Sequence, residues 1–138
     1  YKYIQVTIDH YEELRELWSV TYGITLRESD QKKNINSYLE RNPGISFCCK
    51  NHEDKIIGVC LCGHDGSKGY IRHLAVTEKY QRQGIGKKLI SRCLDELSKS
   101  GINKCTIFID SDNRDGINFW RNNNWSIRTD LVTMSRSV

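Results

Sequence analysis

The sequence predicts a mixed α/β fold in which a mostly antiparallel sheet carries one parallel, splayed strand pair. Two observations carry this. Three β-rich runs, at 45–50, 55–63 and 69–77, are separated only by short polar turns, which makes them an antiparallel meander. The period then changes: after Gly84 the apolar residues Ile85, Leu89, Ile90, Cys93, Leu94 and Leu97 recur at helical spacing, and a further β-rich run follows at 104–109. A strand, helix and strand in series form a crossover, so the outer two strands must run parallel.

The elements follow in order. Residues 3–8 alternate and read as a first strand. Asp9 can cap a helix, with Glu12 three residues on as in a capping box and Leu14, Leu17 and Trp18 as its apolar stripe. A second, more polar helix is expected over 29–41 on Ile35, Tyr38 and Leu39, stopped by Pro43 and Gly44. The meander turns contain Asn51, His52, Glu53 and Asp54, then His64, Asp65, Gly66 and Ser67. Gly101 ends the long helix. Asn113 opens a shorter one through Ile117 and Trp120, closed by Asn122, Asn123 and Asn124, since asparagine tolerates a left-handed helix end. Two last strands are expected at 125–129 and 131–137, for a total of about seven strands and about four helices. One domain over 1–138 is expected, with no linker or repeat.

Composition narrows the function. With 138 residues, 38% of them hydrophobic, the chain can build a core without staples, and no apolar run approaches the length of a membrane span. No secretory leader is read near the start, so a cytoplasmic location is expected. The net charge of +4 is too mild to imply nucleic acid. Its distribution says more: Lys79, Arg82, Lys87, Lys88 and Arg92 surround one glycine-containing stretch that holds no acid, which suits a small anion. The six cysteines lie largely in apolar runs and read as buried thiols rather than disulfides or metal ligands.

That stretch is the informative one. Gly84 and Gly86 stand where a strand gives way to a helix, so amides and the positive end of the helix dipole can meet an anion, with Arg82 and Lys87 adding full charges. Alone it is also compatible with a tight turn beside a solvated basic face. The third glycine of a dinucleotide fingerprint is absent, and so is the spacing of a Walker loop.

Gln81, Gly84 and Gly86, after Leu74, Ala75 and Val76 and before a long helix, resemble the acetyl-CoA loop of the GCN5-related N-acetyltransferases. Asn113, Phe119, Trp120, Asn124 and Trp125 resemble that family's later features. Gly63, His64, Asp65 and Gly66 match a turn carried by a group of small bacterial members. The resemblance implies that family's fold and an acetyl-CoA-dependent transfer to a primary amine by direct attack on the thioester. It implies that Leu74, Ala75 and Val76 offer backbone groups to the pantetheine arm. Arg82, Gln83, Gly84, Ile85, Gly86 and Lys87 would cradle the pyrophosphate, and Asn113 would bond the pantetheine. Asn113 also suits a helix cap, a role that can coexist with the first.

Both proton-handling positions depart from the family pattern. Trp120 stands where many members have a tyrosine acid; it is assigned to the cofactor pocket, where its indole can donate a hydrogen bond but supplies no proton. Phe108 stands where some have a glutamate, and Tyr70 falls at a third acid position. His73 is then the candidate catalytic base, on its pKa range and its strand; strict alternation turns it away from the face of Leu74 and Val76 unless a bulge intervenes, and a packed, hydrogen-bonded histidine is the alternative. Tyr22 and the run Asp110, Ser111 and Asp112 are weaker candidates. Glu12, Glu13, Glu28 and Asp30 could attract an ammonium, or simply form a solvated helix face. The expected acceptor is a small-molecule or peptide amine, with no nucleic acid or membrane partner and with a homodimer possible. A catalytically silent acyl-CoA-binding domain and, further off, a polyanion-binding module are the alternatives.

Overall fold

The computed structural model describes residues 1–138, which divide into two compact units, Tyr1–Phe108 and Ile109–Val138. In the first unit, β1 (Lys2–Gln5) leads through a 3-10 turn (Ile8–His10) into α1 (Tyr11–Ser19). A second 3-10 turn (Glu28–Asp30) precedes α2 (Lys32–Arg41), and the meander β2 (Phe47–Lys50), β3 (Ile56–His64) and β4 (Gly69–Val76) follows. The long helix α3 (Ile85–Lys99) and a short β5 (Cys105–Ile107) complete the unit. The sheet order is β1-β2-β3-β4-β5, antiparallel throughout except for β4 with β5, which run parallel. No helix is long and apolar enough to cross a membrane.

Alternation along β3 sorts the helices onto opposite faces. Val59 and Leu61 pack with Leu14, Trp18 and Ile35 of α1 and α2. Gly58 points the other way, where an added Cβ would sit 3.1 Å from both Ile85 and Leu89 of α3. The expected stripe of α3 is buried at Ile85, Leu89, Ile90, Cys93 and Leu97, and Gly101 ends the chain's longest helix at φ 81°. All six cysteines are free thiols, five of them buried; burial pushes Cys48 up to about 12, so it stays protonated.

Three expectations need correction. Asp9 caps nothing; it lies inside the first 3-10 turn, and His10 Nδ1 accepts the Thr7 N–H at 3.0 Å in its place. The second helix starts at Lys32 rather than 29, because Asp30 Oδ2 accepts the Arg27 N–H and closes a separate turn. The sheet has five strands rather than seven. In the second unit, α4 (Arg114–Asn122) forms as expected, capped by Asn113 Oδ1 on the Gly116 N–H at 3.0 Å and followed by Asn124 at φ 70°. Residues 125–138 join no ladder, and Ile127, Leu131, Val132 and Met134 are exposed. Alternation makes a strand possible, but only a neighbouring edge supplies its hydrogen bonds.

The turn at 63–66 works as a hairpin. Asp65 Oδ1 accepts the N–H groups of Ser67 and Lys68, both at 2.8 Å, while Gly66 takes φ 92°. Gly63 has a packing reason: a Cβ there would lie 2.7 Å from Tyr38 Oη and 2.8 Å from Asn42 Nδ2. Asn42 cannot retreat freely, because its Oδ1 holds the His64 N–H at 2.9 Å. Gly63→Ala is therefore expected to lower unfolding stability by about 1–3 kcal/mol in a urea titration. An unchanged midpoint would show that the contact relaxes at no cost.

Candidate active site

β4 and β5 pair only at Gly69 with Cys105, Tyr70 with Thr106, and Ile71 with Ile107. From Arg72 onward β4 has a partner on one edge only. On that partnered edge the register slips: Val59 faces Ala75 but Leu61 faces Arg72, so β4 spends one extra residue there. This bulge centres on His73, whose φ of 56° lies in the left-handed region that a side chain with a Cβ rarely adopts. It puts the adjacent Arg72 and His73 on one face, against the alternation rule; His73 shares that face with Ala75, and its imidazole meets the Trp18 ring at 5.0 Å.

A carboxylate waits there. Asp30 is only 2% exposed, and its Oδ1 lies 2.6 Å from both His73 Nε2 and Arg72 Nη2. The Tyr11 hydroxyl donates to the Asp30 carbonyl at 2.6 Å, and the Arg72 guanidinium lies over the Tyr38 ring at 5.0 Å. Burial works to raise the Asp30 carboxyl, but the hydrogen bonds from His73, the Arg27 amide and Arg72 outweigh it and hold it below the ordinary 3.8. Burial pulls the His73 imidazole below 6.5, and the Arg72 charge adds to this, against the opposing pull of Asp30. Asp30 was the acid least like the solvated face the sequence suggested for it.

The loop after β4 is the second component. Arg82 and Gly84 both take left-handed dihedrals, φ 63° and 83°, the alternation from which anion-binding nests are built. The amides of residues 82–87 make no hydrogen bond to any protein acceptor; the first helical bond is from Lys88 N–H to Gly84 carbonyl at 3.0 Å. Gly84 is exposed, with open space where a Cβ would stand. The side chains divide: Arg82, Gln83 and Lys87 are exposed, whereas Ile85 is buried in the core, so it offers only its backbone. Such a row of free amides at the start of a long helix fits a diphosphate. Two charges expected here are occupied elsewhere, since Lys88 lies over the Tyr3 ring and Arg92 over Phe47.

Strand and loop are tied together by Gln81, whose Nε2 donates to the Val76 carbonyl at 3.0 Å. That carbonyl is therefore taken. Leu74 is half-buried, and Ala75 is turned into the core. Tyr70 stacks on Phe108 at 6.1 Å, and Tyr22 is 81% exposed on the segment after α1. In the second unit, Asn113 serves as the helix cap, and Trp120 is buried against Phe119 and Trp125 at 5.5 and 4.8 Å.

Residues 11–125 match the family model described as the acetyltransferase (GNAT) family, and the chain belongs to that family. It is 28% identical over 100 residues to N-alpha-acetyltransferase 30 of Schizosaccharomyces pombe, a match spanning 69% of this chain and 66% of that protein. Among solved structures, the PaiA N-acetyltransferase of Thermoplasma acidophilum in complex with coenzyme A superposes with a TM-score of 0.73 at 19% identity, covering 88% of this chain and 87% of that one. An aminoglycoside 6'-N-acetyltransferase of Acinetobacter haemolyticus gives 0.79 at 11% identity over 100% and 99%. These two likenesses concern the fold. Acetyltransferases of the family use acetyl-CoA as the acyl donor.

The depressed His73 and Asp30 values have a consequence for stability. Unfolded histidine binds a proton more readily than the folded one, so the His73 contribution is complete above pH 6.5 and is lost as pH falls below it toward the folded value. Asp30 acts in the same direction lower down, from 3.8 through its folded value. Unfolding free energy should therefore fall between pH 7 and 4, and His73→Gln should flatten that slope, His10 keeping its own share. Equal slopes in denaturant titrations of the two proteins would refute the assignment.

Proposed function

We propose that the protein transfers an acetyl group from acetyl-CoA to a primary amine by direct attack on the thioester. The observation that carries this reading is the row of unpaired amides at 82–87, beside the stretch of β4 that lacks a second partner strand. Bound acetyl-CoA supplies an activated acyl group on a thiol whose pKa near 8.5 makes it a tolerable leaving group.

Arg82, Gln83, Gly84, Ile85, Gly86 and Lys87 hold the diphosphate through their amides, with the Arg82 and Lys87 charges beside them. Leu74, Ala75 and Val76 run alongside the acyl arm, although Ala75 pairs with Val59 of β3 and Val76 gives its carbonyl to Gln81. His73 takes the proton that the amine must lose, because burial keeps its imidazole neutral at physiological pH. Asn113 and Trp120 are kept as cofactor contacts on the family resemblance alone. Asn113 Nδ2 is available to donate while Oδ1 caps α4. The acceptor is a small molecule or a peptide amine.

A second reading, a silent acyl-CoA-binding domain, is favoured by Trp120 and Phe108 at the positions where relatives carry an acid or base. Acetyl-CoA at a hundred times its Kd should stabilise the protein by about 2.7 kcal/mol in a thermal shift under either reading. Thiol release over a panel of aminoglycosides, polyamines, amino acids and N-terminal peptides separates the two. Gly84→Asp places a carboxylate where the phosphates sit and should raise the Kd for coenzyme A at least about tenfold with the fold intact. Unaltered affinity would reject the loop as the binding site.

A further inference from the structure

Asp30, in the 3-10 turn between α1 and α2, touches neither the loop at 82–87 nor the open edge of β4 through any bond of its own; its partners are His73, Arg72 and the Arg27 amide. Those partners decide the protonation pattern. Arginine only donates, and so does the Arg27 N–H, so the Asp30 carboxyl accepts at both oxygens, and these bonds with the Arg72 charge hold it ionised. A carboxylate accepts only. The atom of His73 that lies 2.6 Å from Oδ1 is Nε2, so Nε2 must carry the proton and donate it. In the neutral ring the lone pair then resides on Nδ1. That atom has no hydrogen-bond partner in the protein, and it is not among the sealed polar atoms, which are Trp18 Nε1 and Tyr38 Oη.

The backbone around His73 adds an independent observation. A left-handed residue in a strand bulge persists only where its surroundings over-determine it. Here the Asp30 bond and the Trp18 ring hold the imidazole. The charged groups within reach are Asp30 and Arg72. Tyr11 from α1 engages the Asp30 carbonyl, and Tyr38 from α2 lies beneath Arg72. On the other face of β4, α3 buries Ile85, Leu89 and the thiol of Cys93, which burial and its cysteine neighbours keep protonated.

We propose that Asp30, anchored by Arg72, is the positioning residue of the site: by accepting the Nε2–H of His73 it fixes the tautomer that presents Nδ1 as the base for the attacking amine. This rests on the acetyl-transfer reading. In the step, the amine nitrogen bonds to the acyl carbon, the C–S bond breaks with its electron pair passing to sulfur, and the proton shed by nitrogen goes to Nδ1. The resulting imidazolium faces the Asp30 carboxylate and returns its proton through solvent to the thiolate.

The test has two arms on the full chain. Nitrogen-15 histidine NMR at neutral pH should show His73 protonated at Nε2 and bare at Nδ1; a proton on Nδ1 overturns the proposal, with or without turnover. In the second arm, Asp30→Asn, verified as folded by its melting curve, should lower kcat/KM for the amine at least about a hundredfold, since an amide can present a donor to Nε2 and reverse the tautomer. The Kd for acetyl-CoA should change less than about threefold, because Asp30 makes no bond to the loop. The acidic limb of the pH profile should move down, as removing the carboxylate makes the imidazolium less stable. A wild-type limb position with wild-type kcat/KM overturns the proposal, and so does reduced activity with an unmoved limb, which marks a merely structural residue. Wild-type protein that binds acetyl-CoA but acetylates no amine overturns the transfer reading instead, while the NMR arm still judges the Asp30–His73 bond.

Discussion

The one extra residue in β4 is the constraint on which the site depends. Without it, the neighbours Arg72 and His73 would face opposite sides of the sheet, and Asp30 could meet only one of them. With it, Arg72 and His73 both reach the α1 and α2 face and converge on one oxygen. The arrangement is mutually enforcing. The buried carboxylate requires donors, because a charge stranded in the core costs several kcal/mol, and the left-handed His73 requires a partner that holds it there.

A second constraint is the shortness of β5. Because the parallel ladder stops at Ile71 and Ile107, the later half of β4 keeps one edge free at the place where the bulge sits. The loop that follows is equally unfinished, with the amides of residues 82–87 bonded to no protein acceptor. Two adjacent segments of backbone with unused hydrogen-bonding capacity are the physical content of the proposed site. The aromatic residues Trp120 and Phe108 contribute packing instead: one is buried beside Trp125, the other stacked on Tyr70.

What the sequence made legible followed from local rules. The meander, the crossover helix, the Asn113 cap and the left-handed Asn124 are set by residues within a few positions of each other, and so is the glycine loop. Asp30 was not legible as part of the site, because its partners lie 42 and 43 residues away and its neighbours in the chain spell only a turn. His73 was singled out for its chemistry, while its orientation hung on a bulge that no residue type announces. The two last strands failed for a related reason: alternation in 125–138 describes a segment able to pair, and pairing is a property of two edges.

The Gln81 side chain, by clipping the Val76 carbonyl, joins the end of the bulged strand to the start of the glycine loop. The span between the two is thereby gauged by a handful of covalent bonds and one hydrogen bond, as on a caliper with its jaw locked. A donor bound as proposed would have its far end delivered at a set distance, with the strand end and the loop acting as one gauge.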